Sequence, residues 1–184
     1  MTTVDEQQRV FERERTWIVS DETFLAAAHA IGRHERLRPT TLIVGIERGG
    51  VRLAHRLGIL LDVPARIVRA QHNTDDTVGL ADTGRVVVDP IDLGTDCDPR
   101  RILLVDDICG SGATMDAVTR ALGAVVTGSI RTAVLCRNLG AARDPDLWIW
   151  DVADWVVFPW ETPPPDIRSE RLSLPERLQT RKEP

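Results

Sequence analysis

The sequence predicts a single α/β domain in which a mostly parallel β-sheet is flanked by helices. Runs rich in Val, Ile and Leu alternate with helical patterns along the chain, an order typical of strand–helix–strand units. These runs are continuous rather than alternating with polar residues, as expected for strands that are covered on both faces. A chain of 184 residues is long enough for one domain with a sizeable core, and we find no internal repeat or second domain.

Each element follows from a local pattern. Residues 16–19 form an apolar run, and Ser20 is a favourable N-cap for a helix over 21–37. The buried side of this helix is expected to hold Phe24, Leu25, Ala28 and Ile31. The later elements are predicted in chain order as a strand over 40–46, a helix over 49–61, strands over 65–70, 85–89 and 102–105, a helix over 114–122, a strand over 130–136 and an apolar closing segment over 148–160.

The composition excludes several classes of protein. With 42% apolar and 28% charged residues it is typical of a soluble globular chain, and the net charge of −5 indicates no nucleic-acid partner. No apolar run approaches the roughly 20 residues that span a bilayer, and the polar N-terminal residues carry no signal sequence, so we expect a cytoplasmic protein without a membrane partner. The spacings of Cys97, Cys109 and Cys136 match no zinc or redox motif, and we interpret them as unbridged thiols.

The stretch RILLVDDICGSGATMDAVTRAL, from Arg101 to Leu122, concentrates the residues that carry chemistry. Asp106 and Asp107 directly follow a predicted buried strand, at the sheet edge where parallel α/β proteins bind ligands. Because buried carboxylates without partners are costly, we expect both acids to face a polar ligand, such as sugar hydroxyls or a metal ion.

The loop that follows is suited to binding an anion. Gly110 and Gly112 allow main-chain N–H groups to turn inward, Ser111 and Thr114 add hydroxyl groups, and the predicted helix directs its positive end to the same point. The stretch therefore predicts a site for a phosphorylated sugar. The alternative is a plain strand–turn–helix connection. The loop is neither a P-loop nor a dinucleotide fingerprint, because Met115 occupies the third glycine position.

The segment ILLVDDICGSGAT resembles the phosphoribosyl-pyrophosphate (PRPP) binding motif of the type I phosphoribosyltransferases. VGIERGG, residues 44–50, resembles the pyrophosphate loop of that family, and the polar residues 71–83 stand where the family has a mobile hood. DWVVFPWE, residues 154–161, is similar to the purine-binding end of the bacterial xanthine-guanine and hypoxanthine-guanine branch. The resemblance covers residues 16–161. It implies an N-terminal extension over 1–15 and a Pro-rich charged tail over 162–184, which is either disordered or wraps a partner subunit.

The resemblance implies a role for each matched residue. Asp106 and Asp107 would act at the reacting centre and hold the ribose hydroxyls, directly or through Mg²⁺. The 5′-phosphate would be bound by Gly110, Ser111, Gly112, Ala113 and Thr114. The pyrophosphate would be bound by Arg48, Gly49 and Gly50. The base would be contacted by Arg137, Trp155 and Val156, and Mg²⁺ would be held by Asp106, Asp107 and, through water, Glu161.

Two positions depart from the family pattern. Gly110 stands where the purine branch commonly has the acid that accepts the N7 proton of the base. The general base is then elsewhere, with His72, Asp75 and Asp76 as candidates, or the substrate needs no strong base, or catalysis is lost. Arg137 stands where the branch usually has a lysine that donates to the exocyclic oxygen of a 6-oxopurine, which leaves the ring specificity open.

The resemblance therefore implies a magnesium-dependent enzyme that transfers the phosphoribosyl group of PRPP to a 6-oxopurine-like base. Its partners would be PRPP and a nucleobase, and a homodimer is common in the family. Two alternatives stay open at this stage: a PRPP- or nucleotide-binding regulator that has lost the general base, and a phosphoribosyltransferase with a non-purine acceptor.

Overall fold

The computed structural model describes residues 12, 14–35, 39–72, 86–162 and 169–181. Three helices lie in this part of the chain: α1 (Asp21–Glu35), α2 (Val51–Leu61) and α3 (Ala113–Val125). The strands are β1 (Thr16–Ile18), β2 (Leu42–Glu47), β3 (Ala65–His72), β4 (Val86–Val88), β5 (Arg101–Cys109), β6 (Ser129–Asn138), β7 (Leu147–Trp148), β8 (Trp150–Val152), β9 (Trp155–Val157), β10 (Ser169–Arg171) and β11 (Gln179–Thr180).

A central sheet with the strand order β11-β7-β6-β5-β2-β3-β4 forms the middle layer, and β8 also pairs with β6. The pairs from β7 to β3 are parallel, whereas β4 and β11 are antiparallel at the two edges. Residues of α1 and α2 share one apolar cluster with the sheet, and residues of α3 share a second cluster. The predicted α/β fold, a mostly parallel sheet flanked by helices, is confirmed.

The first helix begins where the sequence predicts. The hydroxyl oxygen of Ser20 accepts a hydrogen bond from the backbone N–H of Thr23 at 3.1 Å, which is an N-cap bond. Phe24, Ala28 and Ile31 are buried as expected, but Leu25 is 40% exposed. Leu25 follows Phe24 directly, and successive helical residues are rotated by about 100°, so Leu25 turns away from the core.

The strand before the candidate loop is longer than predicted. We expected it over 102–105, but β5 continues to Cys109 because its pairing with β6 continues: Asp106 lies opposite Val134, and Cys109 lies opposite Arg137. The two acids are therefore part of the strand. They remain at its carboxyl end, where parallel strands present ligand-binding residues.

The C-terminal segment folds back onto the same chain. β10 pairs in parallel with β1, and β9 pairs with the other side of β1, giving a three-stranded sheet; β11 extends the central sheet beside β7. Leu172 and Leu178 pack against the core cluster that contains α1 and α2. The alternative of a disordered tail is therefore wrong for residues 169–181, because these residues pair and pack with their own domain. Wrapping around a partner subunit stays a prediction.

Several predicted features lie outside the described residues. These include residues 73–85, with most of the expected hood and both Asp75 and Asp76. His72 ends β3, and its side chain is not described. None of the three described helices combines the length and apolar character needed to cross a membrane.

Candidate active site

Gly49 brings the turn after β2 onto the acid pair of β5. A Cβ atom at position 49 would overlap the carboxylate group of Asp107, so a larger residue would require the Asp107 side chain to move. Asp107 itself is 8% exposed. The two segments predicted to bind pyrophosphate and ribose thus meet at one edge of the sheet, although they lie far apart in the sequence.

Asp106 is held close to the main chain of its neighbour. Its Oδ1 accepts a hydrogen bond from the backbone N–H of Asp107 at 2.9 Å, which fixes the half-buried carboxylate at the same edge. Mg²⁺ in proteins is bound by one or two carboxylates together with phosphate oxygens and water, so the adjacent pair Asp106 and Asp107 is a suitable donor set.

The predicted phosphate loop has the geometry of an anion site. Gly112 has a φ of 92°, a left-handed conformation that favours glycine, and α3 begins at the next residue. The hydroxyl of Ser111 lies 3.4 Å from the backbone N–H of Ala113, to which it is hydrogen bonded. The first N–H groups of α3 and the positive end of its dipole are therefore directed at the loop.

A segment that the sequence analysis did not single out supports this loop. The backbone N–H of Ala142 donates to the carbonyl oxygen of Ser111 at 3.0 Å, and the thiol of Cys109 donates to the carbonyl oxygen of Arg143 at 3.8 Å. The Arg143 guanidinium pairs with Asp116 of α3 at 3.2 Å. No local motif indicated these contacts, because they join residues about 30 positions apart.

The predicted pyrophosphate loop is a tight turn between β2 and α2. The backbone N–H of Gly50 donates to the carbonyl oxygen of Ile46 at 2.8 Å, and a Cβ at position 50 would overlap the carbonyl oxygen of Val105. The peptide bond between Glu47 and Arg48 is cis. The side chain of Arg48 is exposed, so its charge is accessible to a ligand at this edge.

Arg137 is engaged by two carboxylates. Its Nε lies 2.7 Å from Asp151 and its Nη1 lies 2.6 Å from Asp144, while the guanidinium stacks over the Trp148 ring at 4.5 Å from the centroid. Burial disfavours the charge, but the two carboxylates outweigh it and raise the pKa of Arg137. A guanidinium has five N–H donors, so these two bonds leave others for a base, and its predicted base contact stays a prediction.

The tryptophans of the described residues differ in exposure. Trp155 is 54% exposed at the start of β9, whereas Trp148 and Trp150 are buried. The Trp160 ring stacks on Phe158 with centroids 5.1 Å apart. Val156 is buried and pairs with Trp17 of β1, and in the described chain no strand pairs with the other side of β9. The predicted contact of the Val156 main chain with a base stays a prediction.

Glu161 is not brought into a cluster with the two aspartates. Its Oε2 accepts a hydrogen bond from the backbone N–H of Phe158 at 2.9 Å. Among the residues that the structure describes, no three His, Cys, Asp or Glu side chains are grouped to hold a metal ion. Direct ligation of one ion by Asp106, Asp107 and Glu161 together is therefore not supported, and contact through water stays a prediction.

Cavity shape does not identify the site. A cavity of about 310 Å³ lies at the opposite, amino ends of β5 and β6, and another of about 680 Å³ lies beside the end of α2. Neither is lined by a residue of the candidate site. Its chemistry is instead defined by the contact of Gly49 with Asp107 and by the loop at the start of α3.

The family model of the phosphoribosyl transferase domain matches residues 22–166, which is most of the chain. The chain therefore belongs to the phosphoribosyltransferase family and is a phosphoribosyltransferase enzyme.

Solved structures agree with this assignment. The chain is similar to the purine phosphoribosyltransferase from Pyrococcus horikoshii Ot3, with 25% identity and a TM-score of 0.69 over 82% of this chain and 96% of that chain. It shares the fold of the Helicobacter pylori xanthine-guanine-hypoxanthine phosphoribosyltransferase, with 22% identity and a TM-score of 0.67 over 79% of this chain and 93% of that one. No curated protein matches the sequence significantly.

Proposed function

We propose that this enzyme transfers the 5-phosphoribosyl group of PRPP to a 6-oxopurine-like base, releasing pyrophosphate and forming a nucleoside 5′-monophosphate. The contact between Gly49 and Asp107 carries the proposal. The reaction breaks the bond between C1′ and pyrophosphate, so a pyrophosphate loop and a ribose-binding acid must lie side by side. The name of the 25% identical P. horikoshii structure supports the purine class.

The loop over 110–114 is proposed to bind the 5′-phosphate. The left-handed Gly112 and the start of α3 direct main-chain N–H groups to one point, and several such donors suit a phosphate dianion. Binding at this end fixes the sugar, so that its C1′ lies toward the acids and the turn after β2.

Asp106 and Asp107 are proposed to hold the ribose hydroxyls. The transition state carries positive charge on the ribose, and two fixed carboxylates stabilise that charge more than they stabilise the uncharged ribose ring of bound PRPP. Mg²⁺ bound by these acids and the pyrophosphate would neutralise the leaving group. Arg48 and the main chain of Gly49 and Gly50 would bind the pyrophosphate itself.

The base is proposed to stack on Trp155 and to contact the main chain of Val156. Exposure of a large aromatic side chain at an open sheet edge supports this placement, since a flat ring gains area and stacking energy there. Arg137 would donate a remaining N–H to the exocyclic oxygen of the base. The general base is not assigned, because Gly110 has no side chain and Asp75 and Asp76 lie outside the described residues.

Because position 110 has no acid, an alternative function is a regulator that binds PRPP without catalysing its reaction. Purified protein should be incubated with PRPP, Mg²⁺ and, separately, hypoxanthine, guanine, xanthine, adenine and orotate, and pyrophosphate release followed. We expect turnover with at least one 6-oxopurine and none without Mg²⁺. Tight PRPP binding without turnover on any base would identify the regulator, and turnover on orotate alone would identify a non-purine acceptor.

Three further expectations concern the whole protein. A homodimer, a cytoplasmic location and the absence of nucleic-acid partners remain predictions from the sequence and the family. Size-exclusion chromatography with light scattering would measure the oligomeric state of the purified protein.

A further inference from the structure

Arg52 is an unusual residue for its position. It is the second residue of α2 and is exposed, and the first turn of this helix contains no acidic residue. A positive side chain near the N-terminus of a helix is unfavourable, because the helix dipole is positive there. Arg52 is thus a second positive charge, after Arg48, near the N-terminus of α2, where the helix dipole already attracts anions.

Arg48 and Arg52 also differ from many arginines of this chain in their partners. Arg66, Arg131 and Arg137 each pair with a carboxylate at 2.6 Å. Among the described residues, neither Arg48 nor Arg52 has a carboxylate partner. Arg48 and Arg52 are four positions apart in the sequence, and an anion that contacts both would be attracted by two positive charges.

The Arg52 guanidinium has a defined position. It lies over the Trp160 ring, with Cζ 5.5 Å from the ring centroid. That ring is itself fixed by stacking on Phe158 and by an edge contact with Phe24 of α1 at 5.4 Å. Arg52, two residues after the turn over 48–50, therefore contacts Trp160, the residue before Glu161.

We propose that Arg52 is a second pyrophosphate-binding side chain, acting with Arg48 at the start of α2. This inference rests on the proposed function, because it assigns a ligand to the same site. Pyrophosphate carries several negative charges, and a guanidinium can donate two parallel hydrogen bonds to phosphoryl oxygens. The Trp160 ring holds the guanidinium in place, so that less side-chain entropy is lost on binding.

The test measures binding of magnesium pyrophosphate and of ribose 5-phosphate, each alone, by calorimetry. Arg52→Met removes the charge but keeps an unbranched stem over Trp160, and Arg52→Lys keeps the charge. Arg120→Met, at an exposed position on α3, is the matched control. We expect Arg52→Met to weaken pyrophosphate binding about tenfold, with ribose 5-phosphate affinity unchanged, because charged hydrogen bonds are lost. Arg52→Lys should bind with intermediate affinity, and Arg120→Met should bind both ligands like the wild type.

The outcomes separate the two proposals. Pyrophosphate binding by Arg52→Met at wild-type strength, or an equal loss for both ligands, would overturn the role of Arg52. A wild-type protein that binds neither ligand would instead overturn the proposed function. The melting temperature of Arg52→Met should be close to that of the wild type. The variant loses an unfavourable charge at the start of α2, which offsets the loss of the contact with the Trp160 ring.

Discussion

Gly49 lies directly against the Asp107 carboxylate, which occupies the space that a Cβ atom at position 49 would take. This contact links the turn after β2 to the acid end of β5. The turn has a glycine at position 49 because any larger residue would displace the Asp107 carboxylate.

Replacing Gly49 with alanine should therefore damage the site more than the fold. The added methyl meets the end of a side chain, so Asp107 can turn aside, but it then leaves the position from which it contacts ribose. We expect the catalytic efficiency with PRPP to fall by tenfold or more, with the melting temperature lowered only by a few degrees.

Gly123→Ala is the control for that variant. A Cβ at position 123 meets no atom within 4 Å, and alanine is favoured over glycine inside a helix such as α3. It should be as active as the wild type and slightly more stable. Full activity of Gly49→Ala would contradict the role that we assign to the contact.

Asp107→Asn removes the charge but keeps the shape of the buried side chain. If the carboxylate stabilises positive charge on the ribose, kcat should fall by roughly tenfold or more. Asp89→Asn, at an exposed position outside the site, serves as the control and should retain full activity. Near wild-type turnover by Asp107→Asn would count against its catalytic role.

Trp155 should bind the base through its ring. Trp155→Leu should weaken binding of a nucleoside 5′-monophosphate by about fivefold or more, because stacking on a base contributes roughly 1–3 kcal/mol. Trp155→Phe keeps a ring and should retain most of the affinity. Since the side chain is 54% exposed, neither change should lower the melting temperature appreciably. Equal affinities of the two variants would argue against stacking.

The ion pair between Glu35 and Arg131 should matter for stability alone. Glu35 is 1% exposed, and its carboxylate lies 2.6 Å from Arg131 and accepts a hydrogen bond from Thr40 at 2.7 Å. Arg131→Leu leaves a buried charge without its ionic partner and should destabilise the protein by about 3–5 kcal/mol in urea titrations.

The double replacement Glu35→Leu with Arg131→Leu should recover much of that loss, since no buried charge remains. Turnover per folded molecule should stay at the wild-type value in both variants, because the pair lies at the amino ends of the strands. A double variant that is less stable than Arg131→Leu would refute this account.

Cys136 should resist thiol reagents as the pH rises. Burial is the main influence that raises its pKa well above the ordinary value of 9.0, and the nearby Asp107 and Asp151 add to it. A raised pKa keeps the thiol protonated, so little thiolate forms even at pH 9. In the native protein we expect only the half-buried Cys97 to react at pH 7–9, and all three cysteines to react after denaturation. The Cys97→Ser variant should show no native-state labelling.

The local sequence pattern was sufficient to predict most strands of the central sheet. Continuous apolar runs located β2, β3, β5 and β6, and the Ser20 cap located the start of α1. The three-stranded sheet was not predicted, because its strands are three residues long and pair across most of the chain. Strands of three residues are too short for a repeating pattern of apolar and polar residues to be detected.

The motifs likewise located the acids and the glycine turns near the carboxyl ends of strands, although the acids lie inside β5 and not after it. They did not indicate that Arg137 lies between Asp144 and Asp151, or that residues 142 and 143 support the phosphate loop. These contacts depend on how the chain returns from β6 to β7. Such a return is set by tertiary packing, which spacing along the sequence does not encode.

The placement of β1 between β9 and β10 also affects synthesis of the protein. A ribosome releases residues 16–18 long before residues 155–157 and 169–171 exist, so the first strand waits for both of its neighbours. The phosphate loop, by contrast, is complete once β5, α3, β6 and the supporting residues 142–143 have emerged. A nascent chain would thus complete its sugar-phosphate site before Trp155 stands on a finished sheet. Binding of the acceptor base would be the last property to form.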